Sequence, residues 1–154
     1  MTTVSVKMYP MSTLERALEI AAEAHAGQQD KAGQPYILHP IRVMLTVKTM
    51  DERMAALLHD TVEDTSITLD DLASAGFSSD VVNAVQALTK SEGESRIDAA
   101  KRAVQNIIAR QVKLADVADN MDMRRIPNPT TEDYARLEQY KHVREILEAG
   151  PKAK

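Results

Sequence analysis

Residues 57–65, with the sequence LLHDTVEDT, place one imidazole and three carboxylates close together, directly after an apolar run. On a helix, residues three or four positions apart share a face, so these four side chains crowd one patch. They are His59, Asp60, Glu63 and Asp64. Carboxylates at that spacing repel one another, and a bound cation would remove the penalty. For this segment alone, a solvated acidic face with a half-buried histidine is an equally good interpretation.

Two residues elsewhere strengthen the metal-site interpretation. His39 lies between Leu38 and Pro40, at a predicted junction of loop and helix where its side chain can be aimed. Asp116 lies in the otherwise apolar turn of VKLADVADN, and an unpaired carboxylate is costly to bury. Two histidines and two aspartates form a mixed site suited to Mn, Fe, Co or Zn. The chain has no cysteine, which excludes thiolate ligands.

The composition favours one compact helical domain. The 154 residues are 44% hydrophobic but only 3% aromatic, so aliphatic side chains and eight methionines must fill the core. The net charge is −4 and the basic residues form no stripe along the sequence, which argues against binding to nucleic acid. There is no signal-peptide pattern and no run of about 18 apolar residues. We therefore expect a cytoplasmic protein that binds no membrane, and the sequence predicts no oligomeric state.

Hydrophobic spacing predicts an all-α bundle of about seven or eight helices. Residues 1–10 lack a helical period and end in proline, so a flexible N-terminal arm is expected there. A single domain is expected over residues 11–150. Residues 28–40 contain one glycine and two prolines among polar side chains, which predicts a structured loop. No segment alternates with period two for long enough to predict a strand.

Capping residues and apolar spacing predict the helix boundaries. Ser12 is expected to cap the first helix. The second is expected over about residues 40–49, and Asp51 is expected to cap a third that includes the sequence HDTVED. Residues 96–123 are expected to form two helices with a break near Arg110. Further N-caps are predicted at Thr68, Ser78 or Ser79, and Thr130 or Thr131.

The order of these groups along the chain resembles that of a known superfamily. His39, then His59-Asp60, then Asp116 is similar to the His-Asp (HD) superfamily of metal-dependent phosphohydrolases. More narrowly, the segments GQQDKAGQPYILHP, AALLHDTVEDT, ALTK and VKLADVADN resemble the hydrolase domain of the stringent-response alarmone enzymes. They are equally similar to the stand-alone small alarmone hydrolases. The resemblance runs from about residue 22 to residue 120.

This resemblance implies a fold, a reaction and a set of roles. The fold is the HD-domain helical bundle, and the reaction is removal of the 3′-pyrophosphate from guanosine or adenosine 3′,5′-bis(diphosphate), usually with Mn²⁺. Glu63 and Asp64 match the pair assigned to the nucleophilic water, and Asn120 and Lys31 match residues that bind the nucleotide. The implied metal ligands are His39, His59, Asp60 and Asp116.

Two positions depart from the family pattern. Asp30 and Asp122 stand where the family typically has arginine, so an anion replaces a cation near the expected substrate. The sequence leaves open whether these aspartates pair with nearby cations, such as Arg124 and Arg125, or contact a base. It also leaves open another phosphorylated nucleotide as substrate, such as NADPH or a nucleoside phosphate, and a non-catalytic nucleotide-binding module.

Two further residues near the motifs are interpreted as structural. His25, in the sequence AAEAHAGQ, is predicted to be a packed, hydrogen-bonded histidine and not a ligand. Tyr36 is interpreted as a core residue under the loop.

Overall fold

The computed structural model describes residues 12–151, so the arm predicted for residues 1–10 lies outside the described residues. The described part contains no β-strand apart from one isolated bridge between Gln29 and Pro35, which confirms the all-α class. Its helices are α1 Leu14–Ala24, α2 Leu38–Thr46, α3 Met50–Leu58, α4 Thr61–Asp64, α5 Leu69–Ser74, α6 Ser79–Leu88, α7 Arg96–Ala103, α8 Ile107–Asn120 and α9 Thr131–Ala149. A 3₁₀ turn, Met123–Arg125, precedes α9. Over the same residues, no helix combines the length and the apolar character needed to cross a membrane.

Helix α3 lies at the centre of the main core. Residues 54–58 are all apolar and all buried, so this helix shows no polar stripe over its last five positions. It packs against α1, α2, α6 and α8. By contrast, α1 buries only one face, which carries Ala17, Ile20 and Ala21. The residue that follows α3, His59, is therefore held at the end of the most enclosed helix.

A second, smaller core lies between α7, α8 and α9. Helix α8 contributes to both cores, because Val112 packs in the main core and Val117 in the second. Asp116 lies between these two buried positions, and this placement explains how a carboxylate comes to be enclosed. The other buried members of the second core are Ala100, Val104, Val143 and Leu147.

Two predicted N-caps are wrong by one or two residues. Helix α1 is capped by Thr13, because the hydroxyl of Ser12 instead donates to the carbonyl of Ala75. Helix α3 is capped by Thr49 in a capping box, and Asp51 lies in its first turn. An acidic residue there still interacts favourably with the helix dipole. The caps predicted at the starts of α5, α6 and α9 are confirmed.

Helix α2 begins and ends earlier than predicted. It starts at Leu38, so Pro40 lies within its first turn. Backbone N–H groups there have no partner within the helix, so the N–H that proline lacks costs no hydrogen bond. It ends at Thr46 because Val47 is extended, with φ −93° and ψ 166°. His39 is therefore part of a helix, which fixes its backbone more firmly than a loop would.

The predicted helix through HDTVED is interrupted at His59 and Asp60. The imidazole Nδ1 of His59 donates to the Ala56 carbonyl at 2.5 Å, and the Thr61 hydroxyl donates to the Leu58 carbonyl at 2.8 Å. These two side chains satisfy carbonyls in the last turn of α3, where the helix ends. The chain then forms the single helical turn α4, whose carboxylates, Glu63 and Asp64, line a cleft.

The break between α7 and α8 also lies earlier than predicted. Asn106 caps α8 and accepts a hydrogen bond from the Ala109 N–H at 2.9 Å, as asparagine does favourably at this position. Arg110 lies inside α8, and its guanidinium donates to the Leu147 carbonyl at 2.7 Å. The basic residue therefore ties α8 to the end of α9 and does not mark a loop.

Candidate metal centre and nucleotide clefts

The four residues predicted to bind metal converge at one buried point. They come from the first turn of α2, the end of α3 and the middle of α8. His39 Nε2 lies 2.8 Å from Asp116 Oδ1 and 3.8 Å from Asp60 Oδ2. His59 Nε2 lies 3.1 Å from Asp60 Oδ2 and 3.4 Å from Asp116 Oδ1. These contacts join residues up to 77 positions apart in sequence.

Of the four residues, His59 has the surroundings that best suit a metal ligand. It is only 2% exposed, and its Nδ1 must carry a proton because the Ala56 carbonyl can only accept. Its Nε2 is buried and makes no hydrogen bond of acceptable geometry, although carboxylates surround it. Burial opposes protonation of this ring, but Asp60 and Asp116 raise the pKa of His59 well above its usual value. A cation in place of that proton would satisfy the same carboxylates.

His39 is held from both sides of its ring. Its Nδ1 lies 2.6 Å from Asp119 Oδ2, and its Nε2 faces Asp116. Burial opposes protonation, but the hydrogen bonds to these two carboxylates raise the pKa of His39 above its usual value. Burial likewise opposes ionisation of Asp119, yet hydrogen bonds from His39 and Arg42 lower the pKa of its carboxyl to about 2.

Asp116 divides its two oxygens between different partners. Oδ1 faces both histidines and accepts from Asn120 Nδ2 at 3.2 Å, while Oδ2 pairs with Lys113 Nζ at 2.9 Å. Burial opposes ionisation, but Lys113 and the histidines keep the pKa of Asp116 well below its usual value. The group that can place one ligand atom per residue within 4.8 Å consists of His39, His59 and Asp60. Asp116 adjoins this group through its Oδ1.

Asp60 is oriented by Tyr36, which is half-buried and belongs to neither hydrophobic core, so the interpretation of this tyrosine as a core residue is wrong. The phenol donates to Asp60 Oδ2 at 2.5 Å. Burial and the charge of Asp60 raise the pKa of Tyr36, so the hydroxyl remains a proton donor. A hydrogen bond of this kind fixes the direction of a carboxylate that binds a metal.

Removing this hydroxyl is expected to weaken metal binding. Tyr36→Phe should lower Mn²⁺ affinity about tenfold, since loss of such an outer hydrogen bond typically has an effect of 10- to 100-fold. Isothermal titration of the purified protein measures the change. Tyr134→Phe, on an exposed tyrosine of α9, is the matched control and should not alter affinity. Equal affinities for Tyr36→Phe and wild type would exclude this orienting role.

The two predicted catalytic carboxylates lie next to the metal cluster and differ in their surroundings. Glu63 Oε1 accepts from the Lys90 backbone N–H at 2.7 Å, which anchors that side chain. Within residues 12–151, no group donates a hydrogen bond to the carboxylate of Asp64. Partial burial, followed by the charges of Asp60 and Glu63, raises the pKa of Asp64. Asp64 is therefore a more basic carboxylate than an ordinary aspartate, and its oxygens are not engaged by a donor among the described residues.

Two cavities meet at this cluster. The outer cleft, of about 330 Å³, is lined by Lys31, Arg42, Asp119, Arg125, Asp133 and Arg136, among others. The inner cleft, of about 200 Å³, is lined by Glu63, Asp64, Lys90, Arg96, Lys113 and Asp116, among others. Tyr36, His39, Asn120 and Tyr140 border both cavities. A ligand lying across the cluster would therefore contact both clefts and Asn120.

Lys31 lines the outer cleft and is not among the lining residues of the inner cleft, where Glu63 and Asp64 lie. Its Nζ is 3.3 Å from Asp133 Oδ1, and its side chain is 53% exposed. Arg136 Nη1 lies 3.3 Å from the same carboxylate oxygen. Two cations that face this cleft thus share the single carboxylate of Asp133.

Asp30 and Asp122, which depart from the family pattern, both stabilise local turns. Asp30 Oδ1 accepts from the backbone N–H groups of Ala32 and Gln34, each at 2.9 Å. Asp122 caps the 3₁₀ turn and accepts two hydrogen bonds from the guanidinium of Arg124, at 2.9 and 2.8 Å. Their carboxylates are therefore engaged within the protein.

The cations of the two clefts differ in their pairing. In the outer cleft, Arg42 pairs with Asp119, and Arg125 pairs with both Asp119 and Asp122. In the inner cleft, Arg96 donates to Gln139 at 2.8 Å and lies over the Tyr140 ring, 5.2 Å from its centroid. Arg96 is therefore held by uncharged groups beside the candidate catalytic carboxylates, whereas Lys113 in the same cleft pairs with Asp116.

His25 has the structural role that the sequence predicted. It is 2% exposed, its Nδ1 lies 2.8 Å from Gln28 Oε1, and its ring centroid lies 4.9 Å from that of Tyr36. Asp119 and Lys113 were not predicted as partners of the cluster. Both lie three residues from Asp116 on one face of α8, and helical spacing could have identified them.

Comparison with known proteins identifies the family of the chain. A protein-family model described as an HD domain matches residues 17–126. The chain is 32% identical over 151 residues to the guanosine-3′,5′-bis(diphosphate) 3′-pyrophosphohydrolase of Vibrio cholerae, covering 82% of this chain and 21% of that protein. It is 36% identical over 164 residues to a probable GTP pyrophosphokinase of Mycobacterium leprae, covering 94% and 19%. The chain thus spans about a fifth of the length of these curated relatives.

A solved structure is similar over a larger share of its own length. It is described as a metazoan ortholog of SpoT that hydrolyzes ppGpp and plays a role in starvation responses. The TM-score is 0.73 at 26% sequence identity, covering 93% of this chain and 89% of that one. The two chains therefore share a fold over nearly their whole lengths.

Proposed function

The chain belongs to the HD domain family, and from this premise we propose that it is a metal-dependent phosphohydrolase acting on nucleotides. The substrate we propose is guanosine or adenosine 3′,5′-bis(diphosphate), from which it removes the 3′-pyrophosphate. The observation that carries the proposal is the unbonded, buried Nε2 of His59, which faces carboxylates beside Glu63 and Asp64. The names of the Vibrio cholerae protein and of the solved metazoan structure support the choice of substrate.

An HD domain implies a divalent metal, and the residues present fit one. The proposed ligands are His39, His59, Asp60 and Asp116. Two imidazoles and two carboxylates suit a borderline or hard divalent ion, and Mn²⁺ is the ion we propose. When bound, such an ion offsets charge on phosphoryl oxygens and lowers the pKa of water.

The reaction follows from where the chain places its own side chains. Asp64 accepts a proton from the attacking water, because its raised pKa makes it more basic than an ordinary carboxylate. Glu63, anchored by the Lys90 N–H, positions the same water. Lys90 and Arg96 line the inner cleft and offset charge on the diphosphate. Asn120 borders both clefts and is the proposed contact to the nucleotide, with Lys31 at the rim of the outer cleft.

The proposed hydrolysis forms one bond to phosphorus and breaks another. Water attacks the phosphorus bonded to O3′ of the ribose, in line with the leaving oxygen. The bond between that phosphorus and O3′ breaks, and O3′ keeps the electron pair and takes a proton from solvent. The products are pyrophosphate and the nucleoside 5′-diphosphate with a free 3′-hydroxyl.

The pairing of the cations in the outer cleft is also compatible with a second class of substrate. Lys31, Arg42, Arg125 and Arg136 in the outer cleft each pair with an aspartate, so that cleft holds little free positive charge. These contacts do not single out a 5′-diphosphate as the group that this cleft binds. Another phosphorylated nucleotide, such as NADPH or a nucleoside phosphate, is therefore the alternative substrate.

A nucleotide panel tests these alternatives. The purified chain is incubated with ppGpp, ppApp, NADPH and plain nucleotides, with Mn²⁺ or with a chelator, and phosphate and pyrophosphate are measured separately. Pyrophosphate from ppGpp or ppApp, lost with chelator, is the expected result. Product from NADPH or a plain nucleotide alone would move the substrate and keep the chemistry. No product from a protein that binds Mn²⁺ would favour a non-catalytic nucleotide-binding module.

A further inference from the structure

The carboxylate of Asp119 joins His39 to two arginines on the wall of the outer cleft. Its Oδ2 lies 2.6 Å from His39 Nδ1, and its Oδ1 accepts from Arg42 Nε at 2.8 Å. Arg42 Nη2 lies 3.1 Å from Oδ2, so the contact is bidentate. Arg125 Nη2 donates to the Asp119 backbone carbonyl at 3.0 Å and lies 3.4 Å from Oδ2. The side chain is only 12% exposed.

This contact decides which nitrogen of His39 is free. A carboxylate can only accept, so the proton of the His39–Asp119 hydrogen bond belongs to Nδ1. Nε2 is then the nitrogen that faces Asp116 and Asp60. A carboxylate bound to the far side of an imidazole fixes its tautomer and orientation and makes it a stronger metal ligand. His59 is oriented by a backbone carbonyl instead, which carries no net charge.

Arg42 stabilises the negative charge of Asp119 at this partly buried position. A partly buried carboxylate without a cation would be costly, and a bidentate guanidinium offsets its charge and fixes its plane. Asp119 also lies three residues after Asp116, on the same face of α8. One turn of this helix thus supplies a proposed ligand and the group that orients another.

We propose that Asp119 is a positioning residue of the metal site, acting through His39 and held in place by Arg42. The inference rests on the metal site of the proposed function. Asp119 contacts Nδ1 of His39, whereas Asp60 and Asp116 face Nε2 on the other side of the ring, so Asp119 lies behind the ligand and not among the ligands. Its removal should therefore weaken metal binding by releasing the His39 ring and leave the direct ligands in place.

The test compares wild type with Asp119→Ala, Asp119→Asn and Asp122→Ala. Mn²⁺ affinity is measured by isothermal titration, and the visible absorption of the Co²⁺-loaded protein reports the ligand field. Asp119→Ala should lose about 10- to 100-fold in Mn²⁺ affinity and shift the Co²⁺ bands. Asp119→Asn keeps an oxygen that can accept from Nδ1, so its loss should be smaller. Arg42 and Arg125, which both contact Asp119, form an arginine cluster. Asp122→Ala removes an aspartate that pairs with Arg125 of this cluster and makes no contact with His39, so it should change neither readout.

Wild-type affinity and an unshifted Co²⁺ spectrum in Asp119→Ala would overturn the proposal. If that variant does not fold, the same two results in Asp119→Asn would overturn it. Equal losses in Asp119→Ala and Asp122→Ala would also overturn it, because they would point to the arginine cluster and not to His39. Failure of the wild type to bind either ion would contradict the metal site itself, and so the proposed function.

Discussion

Replacement of Asp60 by alanine is expected to abolish Mn²⁺ binding and to lower kcat about a thousandfold. Asp60 Oδ2 lies 3.1 Å from His59 Nε2 and accepts from Tyr36, so the replacement removes an oriented oxygen from the proposed ligand set. A bound cation contributes several kcal/mol of charge stabilisation in the transition state. A loss of about 4 kcal/mol corresponds to roughly a thousandfold in rate. Isothermal titration with Mn²⁺ and pyrophosphate release from ppGpp measure the two effects.

The matched control for this variant is Asp70→Ala. Asp70 is an exposed aspartate in the first turn of α5, outside both clefts, and its replacement should change neither Mn²⁺ affinity nor turnover. Circular dichroism of both variants checks that each is folded. An Asp60→Ala protein that binds Mn²⁺ as tightly as wild type would remove Asp60 from the ligand set.

Replacement of Asp64 by asparagine should separate turnover from binding. Asparagine has nearly the same shape but cannot accept the proton of the attacking water. We expect kcat to fall by about 10²- to 10⁴-fold, the usual contribution of general base catalysis. KM and Mn²⁺ affinity should change little, because the carboxylate of Asp64 is not among the ligands proposed for the metal. Steady-state kinetics with ppGpp, together with Mn²⁺ titration, measure this separation.

Two comparisons sharpen the Asp64 result. Asp80→Asn, an exposed position in the first turn of α6, is the matched control and should behave like wild type. Glu63→Gln can still accept from the Lys90 N–H through its amide oxygen, so its kcat should fall less than that of Asp64→Asn. If Glu63→Gln has the larger effect, the base is Glu63. A fall in Mn²⁺ affinity equal to the fall in kcat would show that Asp64 binds the metal.

Much of the fold follows from local sequence signals. The continuous apolar run at residues 54–58 predicts a buried helix, and α3 is the centre of the core. Serine or threonine N-caps locate the starts of α5, α6 and α9. The same signals fail where a side chain has a stronger partner elsewhere. Ser12 donates to Ala75, 63 residues away, and leaves the cap of α1 to Thr13.

The site was predictable in its residue types and less so in its orienting contacts. His39 could be selected from the sequence because it stands at a predicted junction of loop and helix, and Asp116 because it is a polar residue in apolar surroundings. The hydrogen bond from Tyr36 to Asp60 and the contact between His39 and Asp119 depend on tertiary packing, across 24 and 80 residues. The spacing of polar residues over 59–64 is still that of a helix, so periodicity does not predict the break at His59. The break involves hydrogen bonds from side chains to the last turn of α3.

The most direct test of the proposed reaction is pyrophosphate formation from ppGpp in H₂¹⁸O with Mn²⁺. Mass spectrometry of both products shows which bond breaks. We predict one ¹⁸O atom in pyrophosphate, none in the nucleoside 5′-diphosphate, and no product with chelator. Attack on the phosphorus bonded to O3′ requires this distribution. Absence of pyrophosphate, or release that persists without metal, would contradict a metal-dependent 3′-pyrophosphohydrolase.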